Sequence, residues 1–201
     1  MLAARRQRGF NMIEVAVTMT VLAMVIGIVV PSVSEWINNT QVRGLAESLQ
    51  NGLQKARTEA LRRNTVVTFW MVSPATAGPP DSSCALSASS ASWVISMDDP
   101  TGQCDVSPSQ TTAPRIIEVF GAGPGAAGIT VAGLAADGVT AANSVSFNGY
   151  GQAVPKGTPL GKIDITHTQS GARRLEVKIS AGGGVRMCDL AVGITDPRTC
   201  L

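Results

Sequence analysis

The sequence predicts an α+β chain: one long N-terminal helix, with a transmembrane half and an amphipathic half, packed on an antiparallel β-sheet domain. Three observations carry this. The stretch Phe10–Val30 is apolar but for one charged residue, Glu14. Leu45, Leu49, Leu53, Ala56 and Ala60 then recur every three or four residues, the spacing of one helical face. From Thr65 onward, Gly and Pro punctuate short runs rich in β-branched and aromatic residues. The expected organisation is a basic leader over 1–9, a membrane-crossing helix over 10–30, its amphipathic continuation over 31–64, and a β-rich globular domain over 65–201.

As a helix, Phe10–Val30 would be about 31 Å long, enough for a hydrocarbon core of about 30 Å. Arg5, Arg6 and Arg8 precede it and hold that end in the cytoplasm, which sends the rest of the chain outward. A secretory signal peptide would have a shorter apolar region and a small-residue cleavage site. Here the run continues to Pro31 with no such site. Glu14 is the anomaly: a carboxylate in hydrocarbon costs about 2.5 kcal/mol or more and so needs a partner or a function.

Beyond Pro31, the face opposite the apolar stripe carries Arg43, Glu47, Gln50, Gln54, Lys55, Arg57, Glu59, Arg62 and Arg63. Lys55, Glu59 and Arg63 are four apart, so Glu59 can pair in either direction. Arg62, Arg63 and Asn64 suit a helix C-terminus, where cations meet the negative end of the dipole. This basic cluster reads as a solvated face rather than a nucleic-acid surface.

Thr65–Ser73, Trp93–Met97 and Arg115–Phe120 read as strands, and Pro74–Ser92 and Asp98–Pro114 as loops. Later, Leu175, Val177 and Ile179 alternate with Glu176, Lys178 and Ser180. Ile163 and Ile165 do the same across a turn at Gln169–Ala172. Gly182–Gly184 then turns into Val185–Cys188, and Asn148-Gly149 supplies another tight turn. The expectation is an antiparallel meander. Gly123, Gly125 and Gly128 form a formal G-x-G-x-x-G, but Ile129-Thr130-Val131 reads as strand where a dinucleotide site needs a helix. A flexible loop is the better reading.

Cys84, Cys104, Cys188 and Cys200 are widely spaced and the chain has a single histidine, His167, so no metal site is expected. An even count in an exported domain suggests two disulfides. Of three pairings, Cys84–Cys104 with Cys188–Cys200 is favoured because each closes a short loop. No nucleophile has an identifiable general-base partner, and no phosphate or cofactor motif is present, so an enzyme is not expected. The net charge of +2 comes from the leader, since without Arg5, Arg6 and Arg8 the chain carries −1. Residues 64–143 hold one basic residue, Arg115, against Asp81, Asp98, Asp99, Asp105, Glu118 and Asp137, and residues 144–201 reverse the balance.

The run Arg8-Gly9-Phe10 with Glu14 resembles the processing signal of type IV prepilins and type II secretion pseudopilins. The resemblance implies cleavage by a prepilin peptidase after Gly9 and N-methylation of Phe10. It also implies a role for Glu14, the fifth residue of the mature chain, opposite the N-terminal amine of a neighbouring subunit, and a helix bend at Pro31. Asn11-Met12 departs from the commoner threonine-leucine. The segment Ser48–Asn64, together with Phe147–Gly151, Arg174–Ser180 and Gly184–Cys188, is similar to one branch of that family, the pseudopilin H and the FimT/FimU minor pilins. The Cys188–Cys200 loop resembles pilin C-terminal disulfide loops, which favours a minor pilin of a type IV pilus over a secretion pseudopilin. The implied partners are the peptidase, other pilin or pseudopilin subunits and the bacterial inner membrane, with the C-terminal domain periplasmic.

Some FimT members bind DNA through a Gly-Arg-x-Arg motif. The matching stretch here is Gly183-Gly184-Val185-Arg186, which lacks the first arginine. A basic patch of Arg173, Arg174, Lys178, Arg186 and Arg198 is the candidate phosphate-holding surface, and DNA is the less favoured partner.

Overall fold

Helix α1 runs as one element from Met12 to Arg63 and includes Pro31. The computed structural model describes residues 11–73, 78–169, 171–193 and 195–200, without the side chains of 27–32 inside the helix. The chain divides into two units, Met1–Ile37 and Asn38–Leu201.

In the first unit the helix surface from Met12 to Ile26 is exposed throughout, including Met12, Ile13, Met19 and Met24. Among the described residues no helix is long and apolar enough to cross a membrane. The expected span of 10–30 reaches past both ends of what is described there. Met12–Ile26 alone makes about 22 Å of helix, short of a hydrocarbon core of about 30 Å.

In the second unit α1 is built from strong helix formers, with Leu, Ala, Gln, Glu, Lys and Arg dominating Leu45–Arg63. Its stripe is buried: Val42, Ala46, Leu49, Leu53, Ala56 and Ala60 are fully enclosed. Each buried leucine contributes about 1.5–3 kcal/mol. The helix ends through a Schellman arrangement. Asn64 takes a left-handed φ of 49°, the Thr65 amide donates to the Ala60 carbonyl (3.3 Å), and the Asn64 amide donates to the Leu61 carbonyl (3.3 Å).

Nine strands follow: β1 (Val67–Met71), β2 (Trp93–Ser96), β3 (Ile116–Phe120), β4 (Ile129–Leu134), β5 (Ser144–Phe147), β6 (Ala153–Val154), β7 (Lys162–His167), β8 (Leu175–Ile179) and β9 (Val185–Asp189). They form two antiparallel sheets rather than the single meander expected. One is ordered β3-β2-β1-β5-β6 and the other β4-β7-β8-β9. The stretch 121–143, which has little sequence patterning, causes the split. After a 3-10 turn at Pro124–Ala126 it supplies β4, which pairs with β7 and not with β3. β5 then returns to the first sheet beside β1. A strand follows the glycine-rich stretch, where a dinucleotide site would need a helix.

Phe69 and Phe147 from the first sheet, Ile163, Ile165 and Val177 from the second, and Leu49 and Leu53 of α1 belong to one core. Both faces of β1 are buried, which explains its lack of alternation. Its second face lies under a smaller core of Trp70, Val72, Val94 and Ile116 roofed by Cys84 and Cys104. These two cysteines are disulfide-bonded, as are Cys188 and Cys200, with Cα separations of 6.2 and 5.4 Å.

Two helix glycines separate packing from propensity. A Cβ on Gly52 would lie 2.8 Å from Trp93 Cε2 and 2.9 Å from Phe69 Cε2, whereas one on Gly44 would meet nothing within 4 Å. Gly52→Ala is expected to destabilise by about 1–3 kcal/mol through overpacking, while Gly44→Ala stabilises by up to about 1 kcal/mol. Thermal unfolding of the two variants checks this opposition of sign.

Candidate functional site

Three segments far apart in sequence meet at the C-terminal end of α1. Arg57 Nε donates to the Gly151 carbonyl at 2.9 Å, bridging helix and β5–β6 turn. Gly183, in the β8–β9 turn, packs so closely on the same carbonyl that a Cβ there would lie 1.9 Å from it. Gly183 also has φ 77°, so two independent constraints exclude a side chain. Gly149 lies against Asn64, where a Cβ would sit 2.4 Å from Asn64 Oδ1. The Ala153 amide donates to the Ala181 carbonyl at 3.1 Å, tying β6 to the β8–β9 turn.

The Asn148 turn differs from a two-residue Asn-Gly hairpin. Asn148 Oδ1 accepts the amides of Tyr150 and Gln152, each at 3.0 Å, and the Gly151 amide donates to the Asn148 carbonyl at 2.8 Å. The left-handed residue is Gly151, with φ 72°, and Gly149 serves the close approach to Asn64. This junction was not among the predicted site residues. The resemblance had marked 48–64 and 147–151 without revealing that they touch, and its stretches 174–180 and 184–188 flank the contacting residues Ala181 and Gly183.

The charged helix face also resolves. Glu59 accepts from Arg62 Nη2 at 2.7 Å and Arg63 Nε at 2.8 Å, while Lys55 pairs with Glu118 of β3. Burial opposes ionisation of Glu59, but the bonds from Arg62 and Arg63 outweigh it, so its carboxyl titrates below the usual 4.5.

Of the predicted processing and assembly residues, Gly9 and Phe10 lie outside the described residues. Glu14 is exposed in the first turn of α1, and Pro31 is placed only as helix backbone. The predicted DNA-contacting residues are dispersed. Lys178 and Arg186 are exposed cross-strand partners on the sheet face that also carries the buried Glu176 and Cys188, and Arg174 is exposed just before β8. Arg173 Nη1 pairs with Asp189 at 3.5 Å. Arg198 holds Asp196 through two bonds of 2.8 and 2.9 Å, which lower that carboxyl to about 2. Lys162, in register with Lys178, is committed to Asp164 and Glu176 at 3.2 and 3.1 Å. Glu176 is buried on the face opposite Leu175 and Val177.

Among the described residues, one group of metal-type donors is assembled, Glu176, Cys188 and Cys200. Its sulfurs form a disulfide and its carboxylate holds Lys162, a donor set that does not suit a metal. His167 Nδ1 accepts the Gln169 amide at 3.0 Å and its ring packs beside Gly128, so the imidazole shapes the turn after β7.

Arg57→Ala is expected to cost about 1–3 kcal/mol by leaving the Gly151 carbonyl without its charged donor, with hydrogen exchange rising first over 148–152. For Glu59 the folded pKa lies below the unfolded one. Its stabilisation is thus complete above the unfolded value and is lost as pH falls through the folded value. Denaturant midpoints followed downward from neutral pH should fall more steeply below pH 4.5 for the parent chain than for Glu59→Gln.

Comparison with known proteins supplies the family. The model of the family described as "Type II transport protein GspH" matches residues 45–183, from the amphipathic part of α1 to the β8–β9 turn. No curated protein matches. Among solved structures, the type IV minor pilin FimU of Pseudomonas aeruginosa (strain PAO1) is similar in two crystal forms. The first is 16% identical, with 74% of this chain and 88% of that chain covered and a TM-score of 0.46. The second is 16% identical, with 72% and 90% covered and a TM-score of 0.43. The match over 45–183 takes in most of the chain: it belongs to the GspH family of pilin-like proteins.

Proposed function

We propose that the chain is a minor pilin subunit of a type IV pilus that takes part in filament assembly and its initiation. In this reading prepilin peptidase cuts after Gly9, Phe10 is N-methylated, and residues 10–30 anchor the subunit in the inner membrane before it enters the filament. The periplasm then holds residues 65–201. The observation that carries the reading is the continuous exposed apolar surface Met12–Ile26 on the helix of a GspH-family protein, interrupted by Glu14 alone among charged residues. Apolar surface of that extent needs lipid or other helices against it.

Glu14 then has a defined task. Cleavage creates a cationic amine at Phe10, and methylation keeps its charge. Each charge is costly alone in an apolar setting, whereas a pair formed between neighbouring subunits is tolerable and sets their register. A second reading, a pseudopilin H that drives protein export by a type II secretion system, is favoured by the family's own description. The Cys188–Cys200 loop tilts the choice toward the pilus. DNA capture for natural transformation draws on Lys178 and Arg186 more than on Arg173 and Arg198, which are tied to acids. If DNA binds there, affinity falls steeply with salt and Arg186→Ala weakens it.

The test is substitution of Glu14. Glu14→Leu should be cleaved after Gly9 as efficiently as the parent chain, yet be lost from sheared filaments. Filaments that contain the variant at parental level would contradict the assigned role.

A further inference from the structure

Trp36 is the one aromatic residue of α1 and is 69% exposed, whereas the chain's other tryptophans, Trp70 and Trp93, are buried. Val33 and Ile37, close to it in the chain, are exposed with it. Along the helix Trp36 stands at a boundary. Residues 15–34 carry no charge, Glu35 is the first charged residue after Glu14, and the polar Asn38, Asn39 and Thr40 follow. Within about one turn of Trp36 the chain passes from a stretch that tolerates lipid to one that requires water.

Height along the helix decides what covers this ring. With residues 10–30 in the hydrocarbon core, the Trp36 backbone lies about 9 Å beyond Val30 along the axis. Helical side chains lean toward the N-terminal turn, so the indole lies closer to the core than its own Cα. The headgroup layer is about 5–7 Å thick on each side of the core, and that lean carries the ring into it. Tryptophan collects in this layer because its ring is apolar over most of its surface and carries a polar N–H at one edge. The same height keeps the Glu35 carboxylate out of the hydrocarbon.

We propose that Trp36 seats in the periplasmic lipid headgroup layer and fixes the depth of α1 in the membrane, an inference that rests on the membrane-anchored reading. Its partner is the lipid surface itself, met before the subunit leaves for the filament.

The test uses the full chain in nanodiscs of phosphatidylethanolamine and phosphatidylglycerol. Trp36 emission is read as the difference between the parent chain and Trp36→Phe, since Trp70 and Trp93 are buried in the other unit. Nitroxides are placed on the headgroup, near the top of the acyl chain, or near the bilayer centre. The expected result is quenching several-fold stronger from the first two than from the third, with iodide in the water quenching several-fold less than it quenches free tryptophan. Strongest quenching from the bilayer centre, iodide quenching equal to that of free tryptophan, or protection from every quencher overturns the proposal. Co-elution with the nanodiscs separates the two levels. A chain that elutes with lipid and gives any of those three results keeps the membrane reading and loses this role for Trp36. A chain that does not enter the nanodiscs removes both.

Discussion

The strip of α1 from Val42 to Ala60 is the surface that both sheets require. A two-sheet arrangement with strands of two to six residues has little core of its own unless something fills the space between its inner faces. Here Leu49 and Leu53 do so, in one core with Phe69 and Phe147 on one side and Ile163 and Val177 on the other. The tolerance is narrow: Gly52 is a glycine because Trp93 and Phe69 occupy the space a Cβ would need. The strip ends in a device that fixes its direction, the left-handed Asn64 against which Gly149 packs. Arg57 then reaches from the helix to Gly151, and Gly183 closes over the same carbonyl, so one guanidinium sits where both sheets and the helix come together.

Much of this was legible in the sequence because helix signals are local. The recurrence of Leu45, Leu49, Leu53, Ala56 and Ala60 marks the buried face, and Arg62-Arg63-Asn64 marks the helix end. The alternation of β8 was equally plain. What failed to show was pairing. β1 and β5 are adjacent in space but separated by a long stretch in which Ser, Gly and Ala dominate. Nothing in Ile129–Leu134 announces that it belongs to the second sheet. The burial of Glu176 was hidden for a related reason: alternation gives its side of the sheet but not its bond with Lys162 of the neighbouring strand.

The same limit governs the candidate site. The preference for short loops was enough to suggest which cysteines join, because each bridge is local. The basic residues of the C-terminal third look like one patch when read along the chain. In space the antiparallel pairing puts Lys178 beside Arg186, while Arg173 and Arg198 turn to Asp189 and Asp196. The Arg57–Gly151–Gly183 junction joins segments that no local rule connects. Its sequence traces were the turns at Asn148-Gly149 and Gly182–Gly184 and the resemblance over 48–64 and 147–151, none of which shows that the turns touch.

The exposed apolar helix surface in the first unit sets the chain apart from a self-sufficient globular domain and makes its partners the central question. The most direct measurement is crosslinking in the native membrane followed by capture of this chain and identification of the pilin-like subunits that accompany it. The account predicts the major pilin and other minor subunits of a type IV pilus. Recovery of secretion pseudopilins in their place would contradict the pilus assignment while keeping the chain in a filament, and recovery of neither would contradict the filament role itself.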